Sequence, residues 1–152
     1  MKEWLGRVLE TVLKYLNKME DVVQETDLSF RFDPEKSLSE PALQETLAKT
    51  GTVEVIQEFH NRIQQHKGLD LETYKGVVSE VKEKTGLKGK SLFHPIRLAL
   101  TARSSGPELD KLIPIFEKGS QLDLPIQILP VRERGGKVLD HLHDHLRNPS
   151  GP

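Results

Sequence analysis

The chain has 152 residues, 36% of them hydrophobic but only 5% aromatic, and a formal net charge of -1, which suits one compact domain or two small subdomains built on an aliphatic core. The absence of cysteine excludes a disulfide framework and any thiolate metal site. No apolar run approaches the roughly 20 residues that span a bilayer, and the Met1-Lys-Glu-Trp4 start lacks the apolar stretch of a signal peptide, so a cytoplasmic protein without a membrane partner is expected.

Taken in chain order, the pattern reads as helices throughout. Leu5, Val8, Leu9, Val12, Leu13, Leu16 and Met19 recur at three- and four-residue steps and predict one amphipathic packing helix of about five turns. Leu28-Ser-Phe-Arg-Phe-Asp-Pro34 alternates briefly, but it is short and ends in proline, so it reads as a connector in which Phe30 and Phe32 anchor the chain to a core. This connector is the expected boundary between a first helical subdomain (1–35) and a second (36–130).

Ser39 is placed to cap a helix with Pro41 in its first turn, and Thr52 to cap the next, which carries Val55, Ile56, Phe59 and Ile63 on one face. Asp70, with Thr73 three residues on, opens a helix that turns Leu71, Tyr74, Val78 and Val81 inward and stops at Gly86. From Ser91 to about Arg103 the chain is apolar nearly all round (Leu92, Phe93, Ile96, Leu98, Leu100), the pattern of a central buried helix with Pro95 near its first turn. After Ser105-Gly-Pro107 a further helix runs through Leu109, Leu112, Ile113 and Phe116. Two prolines interrupt Leu122 to Pro130, which reads as a short helix or an extended piece before a last helix near Val138 to Leu146. Residues 131–152 form a C-terminal helix and a tail expected to be flexible at its end. The expected fold class is all-α, a helical bundle or cage of two small subdomains.

The bland net charge hides a sharp asymmetry. Between Glu20 and Glu58 stand ten acidic residues against three basic ones, whereas from Lys84 to Pro107 there are five basic residues (Lys84, Lys88, Lys90, Arg97, Arg103) and no acidic one. A near-neutral chain that gathers positive charge in one segment is suited to hold a polyanion there.

Several apparent motifs fail on spacing. Gly86-Leu-Lys-Gly-Lys-Ser91 imitates a phosphate-binding P-loop but has only two residues between the first Gly and the Gly-Lys pair, and no hydrophobic strand precedes it. His141 and His145 stand at helical i, i+4 spacing, with His143 between them, yet no third ligand is fixed by spacing, so a solvated terminal helix is expected rather than a metal site. His60 and His66 are lone residues. No catalytic constellation of nucleophile, base and orienting group is present, and no catalytic residue is expected.

The run Lys88-Gly-Lys-Ser-Leu-Phe-His-Pro-Ile-Arg-Leu-Ala-Leu-Thr101, followed by Ser104-Ser-Gly-Pro-Glu-Leu109, closely resembles the C-terminal anticodon-binding region of bacterial glutamyl-tRNA synthetases. The likeness extends back through Trp4 and covers roughly residues 3 to 118. It implies an all-helical region that contacts the anticodon stem-loop of tRNA(Glu) and adjoins an N-terminal catalytic domain. That domain carries His-Ile-Gly-His-type and Lys-Met-Ser-Lys-Ser-type signatures, neither of which occurs here, so ATP and Mg belong elsewhere and no cofactor is expected in this chain. An excised piece or a free-standing paralogue, inactive alone and monomeric, is implied.

The same resemblance assigns residues. Arg97 matches an arginine near the anticodon, on the Pro95 to Thr101 run; Gly106, Pro107 and Leu109 match the turn that packs against splayed bases. Lys88, Lys90, Thr101 and Arg103 complete the expected tRNA-binding set, with the lysines steering and holding phosphates. Other readings stay open: an internal ion pair with a nearby Glu for Arg97, and a solvated face for Lys88 and Lys90. One departure matters: Lys14-Tyr-Leu-Asn-Lys18 has no arginine to match the one that separates glutamate from glutamine anticodons in some members, which leaves the number of tRNAs served open. For the chain as a whole, the alternatives are a helical protein-interaction module and a metal site on the histidine run.

Overall fold

A computed structural model describes residues 1–13 and 31–147, with 145 and 146 described by their backbone only. The described residues form eight helices and no strand: α1 (Lys2–Leu13), α2 (Pro34–Leu38), α3 (Pro41–Leu47), α4 (Thr52–Ile63), α5 (Leu71–Thr85), α6 (Lys90–Thr101), α7 (Leu109–Gly119) and α8 (Val131–Arg147). The all-α expectation is met. Among them no helix is long and apolar enough to cross a membrane. The continuation of the first expected helix beyond Leu13, and Phe30, lie outside the described residues.

Helix α4 is the hub. It buries Val55, Ile56, Phe59 and Ile63 and packs against α5, α6 and α8, with α6 also lying against α8. Tyr74 of α5 meets Phe59 edge-on, rings 6.3 Å apart at 86°, and burial pushes its phenol up to about 12. At the other end α1 rests on α7, where the buried Trp4 indole donates from Nε1 to Ile115 O at 3.0 Å. Gly119 permits that approach, because a Cβ there would stand 2.9 Å from both Trp4 and Ile128.

Local signals set several helix ends. Asp70 accepts from the Thr73 N–H at 2.7 Å, and this bond holds its carboxyl below the usual range; Gly86 closes α5 in the left-handed region at φ 70°. Other ends depart from expectation. Pro34 does not merely end a connector but opens α2, because Asp33 accepts from the Lys36 N–H at 3.1 Å. Ser39 closes α2 instead of capping α3, its hydroxyl donating to Glu35 O at 2.7 Å, and Glu40 precedes Pro41 without a side-chain cap. Thr52 is the first residue of α4 and donates to Thr46 O at 2.9 Å; Gly51, at φ 85°, takes the cap position. Pro95 lies inside α6 rather than in its first turn.

The stripe on α1 divides. Trp4, Val8 and Val12 are buried, while Leu5, Leu9 and Leu13 face outward. Likewise α6 is not apolar all round, since Phe93 is 46% exposed.

Helix α8 begins seven residues earlier than Val138, and tertiary contacts explain why. The Glu117 carboxylate accepts from the Val131 N–H at 2.9 Å and from the Leu69 N–H at 3.3 Å, supplying from α7 the cap that Pro130 cannot give. Gly135 and Gly136, which resemble a break in sequence, instead let α8 approach α4: a Cβ on either would stand 3.2 or 3.1 Å from His60. Burial against this face lowers the His60 pKa, partly offset by Asp140. Arg134 is 1% exposed, donates to Leu129 O at 2.8 Å and Leu100 O at 3.1 Å, and lies over the rings of Phe116 (3.6 Å) and Phe32 (4.8 Å).

Candidate nucleic-acid interface

The basic segment folds into one helix and two ends. Lys88 and Lys90 are exposed where α6 starts, and Arg103 follows its last residue. At about 1.5 Å per residue the ends of α6 lie about 16 Å apart, so the cations form a track rather than one cluster.

Along α6 the outward face is narrow. Lys90, Phe93, His94 and Arg97 fall within an arc of about 100° on a helical wheel, flanked by the buried Leu98 and Leu100. Arg97 is half-buried and donates from Nη1 to Pro107 O at 2.8 Å. The guanidinium thus clasps the segment that follows its own helix.

That segment is unusually constrained. Ala102 ends α6 at φ 52°, the one non-glycine residue with positive φ among those described, and Gly106 takes φ 140°. Thr101 is 4% exposed; its hydroxyl donates to Arg97 O at 2.8 Å and accepts from the Arg103 N–H at 3.2 Å, so it builds the turn from within. Pro107 and Leu109 are buried, Gly106 half-buried. Of the sequence-predicted residues, Arg97, Thr101, Arg103, Gly106, Pro107 and Leu109 come together here, and Lys88 and Lys90 stand apart at the far end of α6.

Two depressions border the turn. A groove of about 380 Å³ is lined by Tyr74, Phe93, His94, Arg97 and residues 108–110. A polar cleft of about 510 Å³ is lined by Thr101 to Ser105 together with residues of the 31–43 segment, including Arg31, Lys36, Asp33 and Glu40. Sequence reasoning missed Tyr74, Phe93 and Lys36. Phe93 had a signal available, since it stands three residues after Lys90 and four before Arg97.

On the histidine run, His141 and His143 lie on α8, and the His145 side chain is outside the described residues. Among the described residues no group of three His, Asp or Glu is arranged to hold a metal ion.

Residues 1–122 match the family described as the anticodon binding domain. A glutamate-tRNA ligase 1 of Caldicellulosiruptor saccharolyticus is 34% identical over 116 residues, 76% of this chain and 24% of the relative. A glutamate-tRNA ligase of Bacillus velezensis is 30% identical over 115 residues, 76% of this chain and 23% of the relative. Over a shorter stretch of 47 residues, 31% of this chain and 10% of the relative, a glutamate-tRNA ligase 1 of Chelativorans sp. is 61% identical. No solved structure matches. The chain spans about a quarter of the length of the first two relatives. By matched residues and by relatives, this chain belongs to the anticodon binding domain family, as the C-terminal anticodon-binding region of bacterial glutamate-tRNA ligases.

Proposed function

We propose that the chain binds the anticodon stem-loop of tRNA(Glu) with the outward face of α6 and the turn at 102–109, as the tRNA-positioning part of a glutamate-tRNA ligase. The observation that carries this reading is Arg97, held by Pro107 O at 2.8 Å on the edge of an aromatic-lined groove. A planar guanidinium fixed in that way offers a stacking surface and directed donors to an unpaired base. Lys88, Lys90 and Arg103 serve phosphates, which position the RNA without reading it. ATP, Mg and the chemistry belong to a catalytic domain outside this chain. The division at residue 35, a monomeric state and a cytoplasmic location are part of the same proposal.

The test compares tRNA(Glu) with a tRNA(Glu) carrying a changed anticodon, by fluorescence anisotropy across a salt series. Arg97→Ala is expected to cost about 1 to 3 kcal/mol with the cognate RNA and much less with the altered one, whereas Lys88→Ala weakens both alike. Log K should fall with log salt by roughly 0.7 to 0.9 per phosphate contact. A flat salt response would instead support a protein-interaction module. Because Arg97 also braces the turn, its variant is melted in parallel; a lower Tm with unchanged discrimination makes the residue structural and removes it from the site.

A further inference from the structure

Phe93 is the large apolar residue of α6 that the core leaves out. Leu92, Ile96, Leu98 and Leu100 on the same helix are buried, while Phe93 is 46% exposed. Its place is specific: it lines the groove with Tyr74, His94 and Arg97, one turn after Lys90 and one turn before Arg97. An exposed aromatic between two cations on one helical stripe matches what single-stranded nucleic acid requires, a π-face for a base and charges for the phosphates on either side. A protein partner would use an exposed phenyl equally well. It is the flanking Lys90 and Arg97 that favour a polyanion.

We propose that Phe93 is a stacking platform for one unpaired nucleobase of the bound RNA, a role that deepens the tRNA-binding reading and rests on it. The base lies in the groove against the phenyl ring. Asp110 and Glu108, the latter paired with Lys111 at 2.7 Å, line the same groove, and a carboxylate there is the chemistry that accepts from an exocyclic amino group of that base. Stacking is indifferent to sequence, so Phe93 supplies affinity and the polar rim supplies discrimination. Lys90 and Arg97 hold the adjoining phosphate and base edge.

The experiment uses the full chain and an RNA hairpin bearing the anticodon loop of tRNA(Glu), with each loop base replaced in turn by 2-aminopurine. At one position, binding should quench the fluorescence as the base stacks. Phe93→Leu keeps an apolar, helix-compatible side chain and should abolish that quench while weakening binding between about fivefold and a hundredfold; Phe93→Trp should preserve both. Circular dichroism of each variant confirms folding. If Phe93→Leu binds as the unsubstituted chain does and shows the same quench, the platform assignment is overturned. If the unsubstituted chain fails to bind the hairpin at any salt concentration, the tRNA-binding reading itself falls, and the platform with it.

Discussion

Arg134 offers the most demanding test of the packing. The residue is 1% exposed, and its guanidinium donates to Leu129 O and Leu100 O and lies over the rings of Phe116 and Phe32. Burial pulls its pKa down to about 9, against a partial restoring pull from Glu117, so the group is charged at neutral pH and dependent on its partners. Truncation to alanine takes this donor from the buried Leu100 carbonyl, a loss of about 1 to 3 kcal/mol, and from the half-buried Leu129 carbonyl, a smaller one, and opens a cavity; the relief of desolvation acts in the opposite direction. The net expectation for Arg134→Ala is a loss of roughly 3 to 5 kcal/mol, or a fall in Tm of about 6 to 20 °C for a domain of this size. Arg134→Met refills most of the volume and removes the buried charge, so its cost should be only about 1 to 3 kcal/mol. Arg134→Lys should fall between them, because one ammonium lacks the fork that serves two carbonyls at once. Urea and thermal unfolding at neutral pH provide the readout. Were Arg134→Ala to unfold within about 1 kcal/mol of the unsubstituted chain, the carbonyl contacts would be negligible and the argument wrong.

Two further outcomes follow from α8. Glu117→Ala removes the carboxylate that caps Val131 and should lower stability by about 1 to 2 kcal/mol in urea unfolding, with Glu117→Gln retaining part because its amide oxygen still accepts. His60, whose pKa is lowered by burial against Gly135 and Gly136, binds a proton more readily in the unfolded chain. Its contribution is therefore intact above the ordinary histidine value and is lost as pH falls below it, so stability should decline between neutral pH and pH ~5. His60→Gln should flatten that decline; an unchanged pH profile would refute the assignment.

What could be read from sequence depended on how local the cause was. Asp70 and Gly86 were legible because a cap acts within one turn of its own helix. The start of α8 was not, because its cap comes from Glu117 on another helix and its glycine pair has meaning only beside His60. Phe93 was hidden by its neighbours: an apolar run suggests burial all round, and only the angular position relative to Lys90 and Arg97 separates it from Leu92 and Ile96. Arg134 gave no warning, since Val131-Arg-Glu-Arg134 reads as a solvated turn of helix until Phe32 and Phe116 are placed around it. Resemblance identified the Arg97 turn, and geometry added why the turn holds: Thr101 ties its beginning and Arg97 its end.

The matched family segment stops at residue 122, yet Val131, Arg134, Val138, Leu139 and Leu142 belong to the same buried interior as Trp4 and Phe59. The unit that folds is therefore longer than the unit that is recognised. A swap of this domain into another protein that cut at the recognised edge would strip α4 and α6 of a wall and leave the Leu100 carbonyl without its arginine. Any junction placed within Val131–Arg147 would cut the helix that supplies that wall.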